Sequence, residues 1–365
     1  MKQCAYLAVL LARFTTITIA LVIVGLCARE VIVGARAFRR CIAPALWGTR
    51  PLEKPRFPID AIVTWVDTTD PAFQGARERS RGSAVRLDID TSSGRENALG
   101  ELELNLCIRL ALRNMPWLRC VYVLTGHGQR PRSLDGCFRP LVNQGRVVHV
   151  TQESIGAGGL FNSVGVEAHI HRVPGLAEHF LYMNDDMYVT RPVPAGALFA
   201  SDGRPIARGC VLRRPLGVDQ YMRSFQEMRE ALGRAMGARG KLGLVLPQHV
   251  AMPLSQHLLR VTRHAFPRET RAAKNAAHRD TTPNPLALAQ NYGVLTGRCY
   301  FAEGTDRSCT AHMETYIAHT PVGVAAFNPE TAEAALVCLN VQDAAVLRRL
   351  YAAHFSRAAS RSPRR

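Results

Sequence analysis

The sequence predicts an α/β domain with a mostly parallel central sheet covered by helices on both faces. Two observations carry that prediction. Short apolar runs, at Ile59–Val66, Cys120–Thr125, Arg146–Thr151 and Phe180–Met183, read as buried strands. Longer stretches at helical spacing, Glu101–Asn114 and Ser163–Arg172, fall between them. Strands alternating with helices imply a parallel sheet buried on both sides. Further helices are expected over Met222–Met236 and Thr331–Ala353.

The chain has 365 residues, enough for one large α/β domain, and a hydrophobic content of 47% supports a packed core. The formal charge is +17, nearly all of it arginine, because lysine stands only at positions 2, 54, 241 and 274. Such a surface suits nucleic acid, anionic lipid or a diphosphate substrate. The chain carries no aromatic-and-basic RNA motif and no zinc finger, which argues against nucleic acid. Its 10 cysteines form no C-x-x-C pair, so a structural zinc site is not expected. One or two disulfides remain open if the domain faces an oxidising lumen.

The expected organisation has four parts. Residues 1–43 hold a membrane anchor, since Cys4 to Ala28 is apolar except for Arg13. A cleaved signal peptide is the alternative. A proline- and charge-rich linker spans 44–58, the catalytic domain 59–355, and a basic Arg/Ser tail 356–365. Arg29, Arg36, Arg39 and Arg40 follow the apolar stretch, and by themselves they favour a cytosolic domain.

The sharpest local signal is Asn184-Asp185-Asp186 directly after Phe180–Met183. Ligands of α/β sheets gather at the carboxyl ends of strands. Two adjacent carboxylates there suit a hard cation, Mg²⁺ or Mn²⁺, that neutralises a diphosphate. The blander reading is a polar turn. A second acidic group, Asp67 and Asp70, follows Ile59–Val66, with Asp60 near that strand's start. Glu167 and His171 share a helical face at i, i+4, but no H-E-x-x-H or third ligand accompanies them. Hydrogen bonding to a substrate, or a satisfied buried cluster, fits them better. Gly156–Gly159 matches no phosphate-loop pattern, and no nucleophile elbow is present.

At this point the pattern resembles a family. Ile59-Asp60-Ala61-Ile62-Val63-Thr64-Trp65-Val66-Asp67-Thr68-Thr69-Asp70-Pro71 is similar to the first conserved block of the Stealth proteins. These comprise capsular polysaccharide phosphotransferases and the catalytic subunit of N-acetylglucosamine-1-phosphotransferase. A second block resembles Glu103 to Arg191, including Met115–Arg119, Phe161-Asn162-Ser163, Glu167–Arg172 and Tyr182–Asp186. A third runs from His249–Pro253 through Phe266-Pro267 to His278-Arg279 and Tyr292–Arg298, and Cys338-Leu339-Asn340 resembles a short fourth. Departures fall at Val63, Thr68, Leu102, Gly159-Leu160, Ala251 and His278, and they bear on donor or acceptor choice more than on the reaction.

The resemblance implies a nucleotide-sugar-binding core of glycosyltransferase A type. It implies transfer of a hexose-1-phosphate, often N-acetylglucosamine-1-phosphate from its UDP form, to a glycan hydroxyl with release of UMP. The expected catalytic residues are His249 as general base, Arg279 on the phosphoryl oxygens, Asp186 on the cation, and Asp60 or Asp185 assisting. Donor binding is expected from Trp65, Asp67, Asp70, Glu103, Arg109, Asn162, Ser163, Glu167, His171 and Arg172. The partners are then a nucleotide-sugar donor, a glycan or polysaccharide acceptor and a membrane. In a eukaryotic source the domain would face the Golgi lumen, and in a bacterial one the cytosolic face of the inner membrane.

Overall fold

A computed structural model of the chain describes residues 56–81, 101–212, 220–237, 242–277, 281–303, 315–318, 327–328, 334–339 and 344–355. The expected anchor, linker and tail, together with Arg279, His278 and Asn340, lie outside the described residues. Among the described residues no helix is long and apolar enough to cross a membrane.

The chain begins with β1 (Ile59–Trp65), α1 (Pro71–Arg81), α2 (Leu102–Asn114) and β2 (Val121–Thr125). Short α3 (Arg132–Asp135) and α4 (Arg139–Asn143) lead to β3 (Val147–Thr151), α5 (Ser163–Glu167), β4 (His179–Asn184) and β5 (Met187–Val189). Then come β6 (Ile206–Leu212), α6 (Gln220–Met236), β7 (Leu244–Pro247), β8 (Met252–Ser255), α7 (Gln256–Ala265) and α8 (Pro267–Asn275). The last described elements are α9 (Pro285–Leu295), β9 (Tyr300–Glu303), β10 (Thr315–Ala318), β11 (Leu336–Leu339) and α10 (Ala344–Phe355).

The central sheet has strand order β3-β2-β1-β4-β8. The first four are mutually parallel and β8 runs antiparallel on the edge, so the sheet is mixed but mostly parallel. Side chains alternate across it as strand geometry requires. Ala61, Val63, Val121, Val123, Leu181 and Met183 pack into one apolar cluster with residues of α2 and α10. Ile62, Tyr122, Leu124, Phe180 and Tyr182 pack into a second on the opposite face, with residues of α5, α7 and α9. Burial on both sides is why these strands read as continuous apolar runs rather than alternating ones.

Two expected elements differ. Thr331–Ala353 is not one helix: Leu-Val-Cys-Leu at 336–339 is strand β11, held between β10 and β5, and the helix is α10. Ser163–Arg172 is broken, with α5 ending at Glu167 and a 3₁₀ turn at Ile170–Arg172. Gly165 explains the tight seat of α5. A Cβ there would stand 2.6 Å from the Ala276 carbonyl oxygen, so the backbone after α8 approaches where only glycine fits.

Candidate active site at the carboxyl ends of β1 and β4

The strand order reverses between β1 and β4, because β2 and β3 lie on one side of β1 and β4 on the other. In open α/β sheets that crevice is where ligands bind. Thr64 and Asn184 are register partners there, and Thr64 Oγ1 donates to Asn184 Oδ1 at 3.1 Å. Asp185 and Asp186 then form the turn into β5, with Asp186 buried to 1% exposure. The turn is fixed from both sides. Cys107 Sγ of α2 contacts the Asn184 carbonyl at 3.6 Å, and Leu339 N–H donates to the Asp186 carbonyl at 3.1 Å.

His249, in the segment between β7 and β8, completes the site. Asn184 Nδ2 lies 3.1 Å from His249 Nε2, and His249 Nδ1 lies 3.1 Å from Cys338 Sγ on β11. With the Asn184 amide oriented by Thr64, its Nδ2–H donates to Nε2 and the ring proton sits on Nδ1. Asp186, His249 and Cys338 offer ligand atoms all within 4.8 Å of one another. Cys338 is the member that sequence reasoning missed; its only signal was the short block Cys338-Leu339-Asn340.

Acidic groups dominate the local field. Burial first, then Asp185, Asp186 and Glu103, push the Cys107 thiol well above its ordinary value. Burial, then Glu103, Asp186 and Asp185, does the same to the Tyr188 phenol. Glu103, in the first turn of α2 and 2% exposed, therefore stands with the Asp185-Asp186 turn. A concentration of carboxylates in an apolar setting is costly unless a cation joins it. The oxygens of Asp185 and Asp186 suit Mg²⁺ or Mn²⁺, and the nearby imidazole and thiol suit a softer ion, so these residues fit a divalent cation.

The other expected residues divide into groups. Trp65 ends β1 and packs in the core at 6% exposure. Asp67 and Asp70 follow it at the same sheet edge, but their carboxylates hold the loop. Asp67 Oδ1 accepts from Thr69 N–H, and Asp70 accepts from Ala72 N–H and from Gln129 Nε2. The bond from Gln129, then that from Ala72, hold Asp70 below the ordinary carboxylate range. Turn formation and capping of α1 thus occupy these carboxylates in the free protein.

Arg109 lies about 9 Å along α2 from Glu103, and its guanidinium sits 5.3 Å from the centre of the Phe138 ring.

Asp60 is displaced further. It pairs in register with Phe180, at the amino-terminal end of both strands, roughly 15–20 Å from Asp186. Its carboxylate is fully buried, accepting from Arg119 Nε at 2.8 Å, Arg119 Nη2 at 2.6 Å and Ala177 N–H at 2.7 Å. It cannot assist a cation at the other edge. Asp60→Ala should lower stability by about 2–4 kcal/mol in urea unfolding, because a buried acceptor of charge-assisted bonds is lost. Turnover per folded molecule should be unaffected; a loss of turnover at full stability would return Asp60 to the site.

A second constellation surrounds α5. Asn162 caps the helix, accepting from Val164 N–H at 3.0 Å, and Ser163 begins it. Glu167 is buried and accepts from Tyr182 Oη at 2.9 Å and from Asn284 Nδ2. Tyr182 Oη also stands 3.4 Å from Thr64 Oγ1. A polar chain therefore runs from Glu167 through Tyr182, Thr64 and Asn184 to His249. Arg172 is exposed and donates to the Ile155 carbonyl, while His171 lines an open cleft beside Glu167.

Burial first holds His149, His169, His171, His179 and His354 below their ordinary value, His171 reaching about 3. The fold therefore disfavours their charged form, while the unfolded chain takes up their protons below about 6.5. Stability should therefore be flat above that pH and fall as pH drops below it. Urea midpoints at pH 7.5, 6.5 and 5.5 test this, and a midpoint that rises on acidification contradicts it.

The chain is thus an α/β protein with a carboxylate turn at the strand-end switch point of a mostly parallel sheet. Residues 99–206 match the Stealth protein CR2, conserved region 2. The exopolysaccharide phosphotransferase of Nocardia farcinica is 28% identical over 276 residues, 72% of this chain and 53% of that one. The capsular polysaccharide phosphotransferase LcbA of Aeromonas hydrophila is 37% identical over 153 residues, 40% of each chain. The exopolysaccharide phosphotransferase CpsY of Mycobacterium tuberculosis is 30% identical over 252 residues, 66% of this chain and 45% of the relative. The homologues are thus exopolysaccharide and capsular polysaccharide phosphotransferases, and this chain spans about half the length of those it matches.

Proposed function

We propose that the chain is a sugar-1-phosphate transferase, moving a hexose-1-phosphate from a nucleotide-sugar onto a hydroxyl of a glycan or polysaccharide. The donor we favour is UDP-N-acetylglucosamine, with UMP as leaving group. The observation that carries this reading is the meeting of Asp185, Asp186 and His249 at the β1–β4 switch point. The names of the relatives support the same class of chemistry.

In this reaction the acceptor oxygen forms a bond to the sugar-side phosphorus, and the bond from that phosphorus to the UMP oxygen breaks. The hydroxyl proton passes to His249 Nε2, whose one lone pair accepts from Asn184 in the free protein and is released when the acceptor hydroxyl displaces that amide. Asp186, with Asp185, would hold Mg²⁺ or Mn²⁺, which when bound supplies charge neutralisation at the diphosphate. Asn184 and Cys338 keep the imidazole in the tautomer that the step needs. Arg279 would clamp the phosphoryl oxygens through its planar donor fork. The N-terminal apolar segment would tether the domain to a membrane.

The test is the nucleotide released when the full chain is incubated with a panel of nucleotide sugars, a glycan acceptor and Mg²⁺ or Mn²⁺. UMP from UDP-N-acetylglucosamine is the expected product. UDP would make the protein an ordinary glycosyltransferase that cleaves the sugar–phosphate bond, and would overturn the reading.

A further inference from the structure

The cleft beside Glu167 has features that the strand-end site does not use. It is a cleft open to solvent, lined among others by Glu167, His171, Thr262, Arg263, Glu269 and Thr270. Arg263 projects from α7, and its Nη1 is buried with no hydrogen-bond partner among the described residues. Five donors in a rigid fork are rarely left unmet inside a protein. The cleft's own carboxylates are engaged elsewhere: Glu269 by Arg234 at 3.1 Å, and Glu167 by Tyr182 and Asn284. The remaining neighbours repel. Burial, then Arg260 and Arg172, hold Arg263 below its ordinary value; burial, then Arg263 and Arg172, do the same to Lys274 of α8. His171 is driven down by burial and then by Arg263 and Lys274.

Like charges concentrated around a half-buried guanidinium are an unstable arrangement for a surface with no role. They suit an anion that arrives with its ligand. The cleft is separated from the Asp185-Asp186 turn by the chain Glu167–Tyr182–Thr64–Asn184, so the anion is not the diphosphate held at that turn. We propose that the cleft formed by Arg263, His171 and Thr262, with Lys274 and Arg172 beside it, is a subsite for a phosphodiester of the acceptor chain. This rests on the function proposed above. Each transfer of a sugar-1-phosphate to a hydroxyl creates one phosphodiester, so an acceptor extended repeatedly carries them at regular intervals behind its reactive end. Arg263, with Arg172 and Lys274 beside it, is placed to hold such a group while the terminal hydroxyl reaches His249 at the strand-end site.

Inorganic phosphate serves as the probe, with the full chain in phosphate-free buffer at low salt. Saturating phosphate should raise the unfolding temperature by about 2–4 °C at roughly ten times its Kd. Arg263→Met should abolish that response. In phosphate-free buffer the same variant should melt at or above the wild-type temperature, because an uncompensated buried cation has been replaced by an apolar side chain. Lys274→Met on the neighbouring helix provides a second variant and should weaken the response.

A melting temperature that falls in Arg263→Met, with the phosphate response intact, makes the cation structural and overturns the proposal. So does a wild-type chain indifferent to phosphate. The response should persist when UDP-N-acetylglucosamine is saturating; if the donor abolishes it, the cleft holds the donor's diphosphate and the acceptor assignment is wrong. An Arg263-dependent phosphate response in a chain that neither binds nor turns over any nucleotide-sugar would keep the anion site and sink the proposed function instead.

Discussion

Asp186→Asn should abolish transfer while leaving the protein folded. Asp186 is 1% exposed, in a turn gripped by α2 and β11, and shares its setting with Asp185 and Glu103. Asparagine keeps the shape and removes a negative charge from a crowded acidic environment. The unfolding midpoint should therefore stay or rise, which separates a chemical defect from a structural one. If Asp186 holds the cation as proposed, its loss removes several kcal/mol of stabilisation of the leaving nucleotide, more than about 10³-fold in rate. The measurements are UMP release at saturating Mg²⁺ or Mn²⁺, the same after chelation, and thermal unfolding of wild type and variant. Near wild-type release by Asp186→Asn at saturating cation would show that the cation binds elsewhere, and release undiminished by chelator would show that none is needed.

The parts of this protein that were legible in sequence are those whose neighbours in space are also neighbours in the chain. Ile59–Trp65 reads as a strand because seven residues in a row are apolar or small apart from Asp60 and Thr64, and the turn Asn184-Asp185-Asp186 announces itself at the end of its own strand. Leu336–Leu339 did not, because a four-residue apolar run has no period that separates helix from strand, and only pairing with β5 decides it. Asp60 was misassigned for a related reason. A carboxylate at the start of a strand looks, in one dimension, as close to a strand-end site as one at its finish, and the parallel register puts it at the far edge.

Cys338 shows the converse. It lies 89 residues from His249, and nothing but β11 lying against β5 brings its sulfur to the imidazole. Tyr182 and Thr64 were visible as strand residues, yet their role as the link between Glu167 and Asn184 depends on the one-on-one register of β1 with β4.

His249→Ala should lower turnover by about 10²–10⁴-fold, the usual contribution of a positioned general base. The imidazole is held on both sides, by Asn184 at Nε2 and by Cys338 at Nδ1, with Thr64 orienting the asparagine. That arrangement sets the tautomer with its lone pair on Nε2, which becomes the base once the acceptor hydroxyl displaces the Asn184 amide; without a base an acceptor hydroxyl is a poor nucleophile near neutral pH. If His249 is the base, its removal lowers kcat while the donor's KM changes little, and the pH–rate profile loses the acidic limb that an ionising imidazole contributes. Asn184→Ala frees the ring to change tautomer and should produce a smaller loss with the limb retained. His249 also stands within ligand distance of Asp186, which supplies the rival role. A ligand would reveal itself differently: the concentration of Mg²⁺ or Mn²⁺ needed for half-activation would rise by about 10–100-fold and the pH profile would keep its shape. That second pattern would remove His249 from proton transfer and direct the search for the base to Asp185, the half-buried carboxylate next to Asp186 in the turn after β4.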